Sequence, residues 1–225
     1  MLFILSAIAK EGIPVQTVAP KFTGRFNKSV DYVGDLNKFT NEFNDDLAVI
    51  SFAIKEFNLP SNLKLSIHSG SDKFSIFEPI KQAIKKHNTG MHIKTSGTTW
   101  LEELIGLACG GGEGLSIAKE IYRKSYNRFE ELCKPYASVI DIDRQKLPDP
   151  DQVDKWDEVK YAGTVRHVQS NPLYNVNVRQ LLSIGYRIAA EMGDRYYNAL
   201  EINKKIIAEN VMENIFDRHI KRLFF

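Results

Sequence analysis

The chain has 225 residues, of which 43% are hydrophobic and 26% charged, a composition that excludes a disordered protein and allows one large domain or two small ones. Its net charge of +2 without a clustered basic stripe excludes an electrostatic surface for nucleic acid, and no apolar run reaches the ~18 residues of a membrane helix. The two cysteines, Cys109 and Cys133, have no metal-type spacing and are typical of a reducing, cytoplasmic compartment.

The first part of the chain predicts helices alternating with strands. Residues 2–11 predict a helix that lacks a capping residue at its start, and residues 13–19 predict a buried strand. A loop rich in Gly, Asn and basic residues follows, and it contains Asp31 and Asp35. Apolar residues then recur at helical spacing over residues 36–57, which predicts a long amphipathic helix.

Two short apolar runs that each break at Ser-Gly frame the next predicted helix. The first reads LKLSIHSGSDK from Leu63, and the second reads MHIKTSGTT from Met91. Between them, apolar residues recur every three or four positions over residues 74–84, as on one face of a helix. This order is typical of a parallel α/β fold, in which the groups just past the carboxyl ends of the strands face the ligand. His68 and Lys94 would therefore lie side by side at that end of the sheet.

The second half of the chain is predicted to be largely helical. The predicted elements are helices over 100–108 and 115–134, a fourth strand over 136–142, an irregular polar segment over 143–175 with a short helix near 153–161, and helices from 177 onward. Three glycines at 110–112 predict a flexible corner. They do not form a phosphate-binding loop, because no Gly-Lys-Ser/Thr sequence follows them.

The predicted strand count indicates an incomplete barrel. A closed (βα)8 barrel needs eight strands and typically ~250 residues, whereas this chain predicts four strands in βα order. We therefore predict an α/β protein with a partial TIM-barrel-like domain over 1–142, and an irregular segment with carboxyl-terminal helices over 143–225 packed on it. The strand count and the uncapped first helix together predict the carboxyl-terminal half of a larger barrel protein.

Several side chains near the predicted strand ends are candidates for metal binding. His68 lies between an apolar strand and a Gly loop, where imidazole is a good metal ligand or acid–base group. His92 lies two residues before Lys94, so both point to one face of their strand; a metal-binding histidine and a buried structural histidine are both open. Asp31 could supply an oxygen ligand, whereas Asp35 directly precedes a helix and would cap it. This ligand set suits Zn, Mn, Fe, Co or Ni without selecting among them.

The same region offers candidates for anion binding. Lys94 inside a barrel would need an anionic partner or a functional reason, and Schiff-base chemistry, carboxylate binding and a structural ion pair are all open. Residues 69–72 and 96–99 both open helices, so their Ser, Thr and Asp side chains either cap the helix or help to hold an anion. Their repetition beside His68 and Lys94 suggests a small polyhydroxylated anionic ligand.

Longer motifs in these regions carry a family resemblance. KLSIHSGSDKFS, HIKTSGTTWLEEL, VDYVGDL and the late run VRQLLSIGYRIAAEMGDRY resemble the tagaturonate epimerase family, and the closing ENVMENIFDRHIKRLFF is similar to that family's carboxyl terminus. Family members are longer, and the chain resembles their carboxyl-terminal half. The resemblance implies a divalent-metal-dependent isomerase of hexuronate breakdown that interconverts tagaturonate and fructuronate by inverting one hydroxyl-bearing carbon.

The resemblance also implies roles for particular residues. By position it carries metal binding onto His68 and Asp35, and His92 is a further candidate ligand. The candidate substrate-binding residues are Ser69, Ser71, Lys73 and Lys94. The family's other acidic and metal-binding residues would lie upstream of Met1, so we expect reduced or no activity from this chain alone, and a missing amino-terminal half or a homo-oligomer as its partner. Two alternatives stay open: a Schiff-base aldolase of sugar acids that uses Lys94, and a non-catalytic protein that binds sugar acids.

Overall fold

A computed structural model of the protein describes residues 1–67 and 71–225. Within these residues the fold is 63% helical and contains one three-stranded parallel sheet, which confirms the predicted α/β class. No helix in the described part is long and apolar enough to cross a membrane. Unit 1 comprises Met1–Phe26, Asp31–Lys94 and Lys221–Phe225, and unit 2 comprises Asn27–Val30 and Thr95–Ile220. This division does not coincide with the boundary after Ile142 that the sequence predicted.

The helices and strands follow the predicted order through the first 110 residues. In chain order the elements are α1 (Leu2–Lys10), β1 (Thr17–Val18), α2 (Leu36–Glu56), β2 (Lys64–Ser66), α3 (Phe77–Lys86), β3 (Met91–His92), α4 (Ser96–Cys109), α5 (Gly112–Asn127), α6 (Phe129–Cys133), α7 (Pro150–Val153), α8 (Glu158–Val165), α9 (Val176–Ser183), α10 (Tyr186–Glu191), α11 (Asp194–Ile202), α12 (Lys204–Met212), a π-helical segment (Glu213–Ile220) and α13 (Lys221–Phe224). A 3-10 turn, Phe74–Ile76, leads into α3.

Unit 1 is a small sheet covered by helices. Its strands lie in the order β1-β2-β3, and all neighbours run parallel, with Val18 opposite Leu65 and Leu65 opposite Met91. The long helix α2 buries an apolar stripe that recurs every three or four residues and includes Phe39 and Phe43. The short terminal helix α13 packs against α3. These contacts form one hydrophobic core, in which Leu65 is fully buried at the centre of the sheet.

Unit 2 is a helical bundle with its own core. The longest of its helices, α4 and α5, pack against each other, and α4 also packs against α8, α9 and α12. Polar side chains inside the bundle bond to main-chain carbonyls: the indole N–H of Trp100 donates to Leu182 over 2.8 Å, and the hydroxyl of Tyr161 donates to Ala118 over 2.8 Å. These bonds satisfy polar atoms that would otherwise be costly to bury.

The fourth predicted strand, residues 136–142, is wrong. A 3-10 helix, Lys134–Tyr136, opens this segment, and the N–H of Val139 then donates to the carbonyl of Tyr136 in a turn. The carbonyl of Val139 accepts from Lys28, so the backbone groups are used in a turn and a loop contact rather than in a ladder. The apolar side chains of Ile140 and Ile142 pack on the helical core of unit 2, where burial of apolar surface replaces strand pairing.

The predicted strand over residues 13–19 is shorter than expected, because only Thr17–Val18 pairs with a neighbour. Pro14 has no N–H to donate to a ladder, which favours a late start for this strand. A corner is present at the predicted glycines: Gly111 and Gly112, at the junction of α4 and α5, adopt φ values of +67° and +47°. Glycine has no Cβ and so adopts this left-handed backbone without steric cost.

Candidate functional site

Three parallel strands bring their carboxyl ends to one end of the sheet in unit 1. We call the chain of unit 1 that follows them the strand-end region: residues 19–26 and 31–35 after β1, 71–75 after β2 and 93–94 after β3. Parallel α/β proteins place their ligand-binding groups at this end of a sheet. The residues that the sequence singled out at His68, Ser69 and Gly70 lie outside the described residues. The site is therefore described from the side chains around them.

Asp31 joins two parts of the strand-end region. Its Oδ1 accepts hydrogen bonds from the N–H of Tyr32 at 2.8 Å, from the N–H of Ser75 at 3.1 Å and from the hydroxyl of Ser75 at 2.8 Å. Ser75 belongs to the turn after β2, so the carboxylate holds the β1 loop against the segment that follows the HSGSDK motif. One oxygen of Asp31 is thus already used as a structural acceptor.

The packing of the Tyr32 ring accounts for the glycine in the VDYVGD motif. Its buried ring lies against Gly24 and Gly34, where an added Cβ would overlap the ring, and its hydroxyl donates to the carbonyl of Thr23 over 3.0 Å. Burial raises the pKa of the Tyr32 phenol, and the nearby carboxylates of Glu42 and Asp35 add to this effect. The phenol therefore stays protonated and keeps the loop after β1 in one shape.

Asp35 caps α2, as the sequence predicted. Its Oδ1 accepts from the N–H groups of Asn37 at 2.8 Å and Lys38 at 3.1 Å, which satisfies two donors of the first helical turn. The sequence also proposed Asp35 as a metal ligand. A carboxylate has lone pairs beyond those used in the cap, so capping and metal binding are chemically compatible.

The residues just after the undescribed segment are the most deeply buried charged groups of unit 1. Asp72 and Lys73 are both 0% exposed, and Ser71 is 7% exposed. Asp72 has φ of +60°, a left-handed conformation that is uncommon outside glycine and occurs often at functional turns. The ammonium of Lys73 lies 3.4 Å from the carbonyl oxygen of Ser71, and both charged side chains have further interaction partners. A buried ammonium of this kind is suited to holding an anionic group.

His92 and Lys94 are both exposed, whereas the sequence had left open a buried structural histidine and a lysine inside a barrel. His92 lies opposite Ser66 on the neighbouring strand, and its Nδ1 is 3.2 Å from the buried Ser66 hydroxyl. β3 ends at His92, so Lys94 lies two residues beyond the strand instead of ending it. The next helix, α4, begins at Ser96, within the residues 96–99 that the sequence predicted to open a helix.

The described residues do not form a complete metal site. Within residues 1–67 and 71–225, no group of three or more His, Cys, Asp or Glu side chains is arranged to hold a metal ion. Asp31 and Asp35 each use an oxygen in structural hydrogen bonds, and His92 faces a serine. A metal bound here would therefore need additional ligands, either from His68 or from polypeptide beyond this chain.

The second Ser-Gly loop, residues 96–99, does not cap α4 as the sequence allowed, whereas the first includes residues outside the described part of the chain. The residues at the cap positions are Lys73 before the 3-10 turn and Thr95 before α4, and neither side chain makes a capping bond. Thr98 is instead fully buried in the first turn of α4.

A second polar cluster, which the sequence did not reveal, lies within unit 2. Glu102 on α4 is 1% exposed, and its Oε1 accepts from the side-chain amide of Asn214 over 3.0 Å. The main-chain carbonyl of Asn214 in turn lies 2.8 Å from Nδ1 of the fully buried His219. Asn214 and His219 both belong to the π-helical segment. Its wider turns break the 3.6-residue period by which helices are predicted from sequence. His219 is buried, as a structural histidine would be.

Comparison with known proteins identifies the family. A family model described as UxaE, tagaturonate epimerase, matches residues 1–223. The chain belongs to the tagaturonate epimerase family. It is 30% identical over 227 residues to the tagaturonate/fructuronate epimerase of Thermotoga maritima, an alignment that covers 99% of this chain and 41% of the relative. The resemblance seen at the HSGSDKF motif is thereby confirmed.

Solved structures of a tagaturonate epimerase show the same fold. The fructuronate-tagaturonate epimerase UxaE of Cohnella laeviribosi, in a crystal structure with one glycerol, matches with a TM-score of 0.77 at 24% identity, over 99% of this chain and 41% of that chain. The native crystal structure of the same enzyme matches with a TM-score of 0.76 at 23% identity. This chain thus spans about two fifths of the length of the relatives it matches, in their carboxyl-terminal part.

Proposed function

We propose that this chain supplies the carboxyl-terminal part of a metal-dependent epimerase that interconverts tagaturonate and fructuronate. The observation that carries the proposal is the family match, which extends over residues 1–223 and so includes every part of the strand-end region. The relatives named for this activity are longer, and we expect polypeptide equivalent to their remaining length, or a second copy of this chain, to complete the site. In this proposal the three-stranded sheet is part of a larger (βα) barrel.

Lys73 is the residue proposed to hold the substrate carboxylate. Its ammonium is fully buried beside a left-handed turn, so a carboxylate bound there would meet a positive charge with little competition from water. Ser71, together with Ser69, would donate hydrogen bonds to substrate oxygens. Lys94 would add a second, more exposed positive charge at the entrance.

The proposed metal ligands from this chain are His68 and Asp35, with His92 as a weaker candidate. A divalent cation would supply Lewis-acid polarisation of the substrate's carbonyl and hydroxyl oxygens. The side chains of this chain would fix the position of the sugar acid. We expect the general acid and base that move the proton to come from the remaining polypeptide, which would complete the site.

The alternative of a Schiff-base aldolase is less well supported. Lysines that form Schiff bases are usually activated by desolvation or by a neighbouring cation, and the Lys94 side chain is exposed. An epimerase of the proposed kind loses activity in EDTA, whereas a Schiff-base aldolase keeps it and is trapped by borohydride. A protein that only binds sugar acids would bind tagaturonate and never exchange its hydrogens with solvent.

The test compares metal binding and turnover in matched variants. His68→Ala should abolish divalent-metal binding by calorimetry, and His87→Ala is the control, because His87 ends α3 and contacts Asn44 rather than the strand-end region. Metal content and conversion of tagaturonate are then measured for the chain alone and after co-expression with the leading part of the Thermotoga maritima relative. Unchanged metal affinity in His68→Ala would contradict the ligand assignment, and metal-replete complex without conversion would contradict the function.

A further inference from the structure

The helix α1 in unit 1 is apolar on both of its sides. Its inner side packs against α2 and buries Leu5 completely. Its outer side presents Phe3, which is 91% exposed, Ile4, which is 65% exposed, and Ala7 one turn further on. We call these three residues the outer face of α1. No charged side chain occurs in α1 before Lys10, its last residue.

The other long helices of unit 1 are built differently. They bury one side and present mainly polar side chains on the other, as expected for helices at a protein surface. The exposed polar residues are Asn37, Lys38, Asn41, Asp45, Ser51, Lys55 and Glu56 on α2, where Leu36 and Phe52 are also exposed, and Glu78, Gln82, Lys85 and Lys86 on α3. A helix that is apolar all round is typical of one covered on both sides. The outer face of α1 therefore has the composition of a covered surface.

The edge of the sheet also indicates that further structure covers unit 1 on the side of α1. β1 is an edge strand of the described sheet, and α1 leads directly into it. Purely parallel sheets are normally covered and extended by βα units. In a right-handed βαβ unit the helix connects two parallel strands that are close in the sheet, so the strand before α1 would pair at the outer edge of β1. Additional βα structure is thus expected beside α1 and β1 together.

The length of the relatives indicates which polypeptide covers this surface. The alignment covers 99% of this chain and 41% of the Thermotoga maritima relative, so more than half of that protein has no counterpart here. We infer that the outer face of α1 and the outer edge of β1 form the docking surface for the leading part of a tagaturonate epimerase, whether it is linked to this chain or supplied separately. The inference rests on the proposed function only for the identity of the partner.

The experiment asks whether that surface is required for assembly. This full chain is co-expressed with an affinity-tagged leading part of the Thermotoga maritima relative, and the amount that co-purifies is measured. Ile4→Lys places a charge on the outer face of α1. Ile202→Lys is the matched control, because Ile202 is 80% exposed on α11 in unit 2. Thermal unfolding of each variant alone should match the wild type, because both side chains are already in contact with water.

The expected result is that the wild type and Ile202→Lys co-purify equally, whereas Ile4→Lys is reduced about tenfold or more, since a buried unpaired ammonium weakens an apolar contact. No co-purification of the wild type, or equal co-purification of Ile4→Lys, would overturn the inference. Conversion of tagaturonate is assayed in each complex. A wild-type complex that assembles without conversion contradicts the proposed function alone, and an Ile4→Lys complex with full assembly and conversion contradicts the docking surface alone.

Discussion

Gly106 is the position at which a single methyl group should have the clearest effect on unit 2. It lies on α4 where this helix crosses α12, and a Cβ built at Gly106 would lie 2.7 Å from both Cα and Cγ1 of Ile207. The nearest obstacle is a main-chain atom, which cannot rotate away as the end of a flexible side chain can. Gly106→Ala must therefore push the two helices apart or distort one of them.

The magnitude follows from two opposing effects. Overpacking in a close-packed interior costs about 1–3 kcal/mol. Replacing glycine by alanine within a helix returns about 1 kcal/mol, because alanine restricts the unfolded backbone and has higher helix propensity. Gly97 on the same helix provides the control, since a Cβ added there would have Ser29 Oγ as its nearest neighbour, at 3.9 Å. Gly97→Ala should gain stability or leave it unchanged.

The assay is urea unfolding followed by far-UV circular dichroism for the wild type and both variants. Gly97 lies in the first turn of α4, where the propensity gain is at most that of the helix interior, so the difference between the two variants is a lower bound on the overpacking cost of about 1–3 kcal/mol. Gly106→Ala should have the lower midpoint. Equal midpoints for Gly106→Ala and Gly97→Ala would refute the close crossing of α4 and α12.

Three other side chains give measurable predictions. Asp31→Ala should destabilise unit 1 by about 1–2 kcal/mol, because Ser75 loses its hydrogen-bond acceptor. Asp31→Asn keeps an acceptor oxygen and should lose less stability in thermal unfolding. Equal losses of stability in the two variants would contradict this account. Arg179→Met should cost about 2–5 kcal/mol, because two main-chain carbonyls that accept from the fully buried guanidinium lose their donor; a midpoint shift within error would exclude that role. Hydrogen bonds from Thr23 lower the pKa of Glu42 below its ordinary value of 4.5. The ionised Glu42 therefore stabilises the folded protein above pH 4.5, and this contribution is lost as the pH falls through the lowered pKa. Between about pH 6 and about pH 3.5, the free energy of unfolding measured in urea should fall less for Glu42→Gln than for the wild type. Equal decreases in the two proteins would argue against the interaction between Glu42 and Thr23.

Local sequence patterns determined most of unit 1. The period of apolar residues in α2 and α3 and the Asp35 cap are decided within a few residues of chain, which is why they could be predicted, and the same holds in unit 2 for the corner at Gly111 and Gly112. The HSGSDKF and VDYVGD motifs also carry the family resemblance, because each is a continuous stretch of chain. The segment 136–142 shows the limit of this approach, because its β-branched residues are equally suited to a strand and to packing on helices.

The tertiary structure decided which polar residues are buried and which pairs meet. Asp31 and Ser75 are 44 positions apart, and Glu102 and Asn214 are 112 apart, so no local pattern could join them. The sequence could not distinguish the buried Lys73 from the exposed Lys94, because both follow a strand and a lysine's burial depends on what packs around it. The sequence by itself thus determined the class of fold, the family and the helix-forming segments. Long-range packing determined the environment of each charged group, because desolvation and pairing arise only between segments that are distant in the chain.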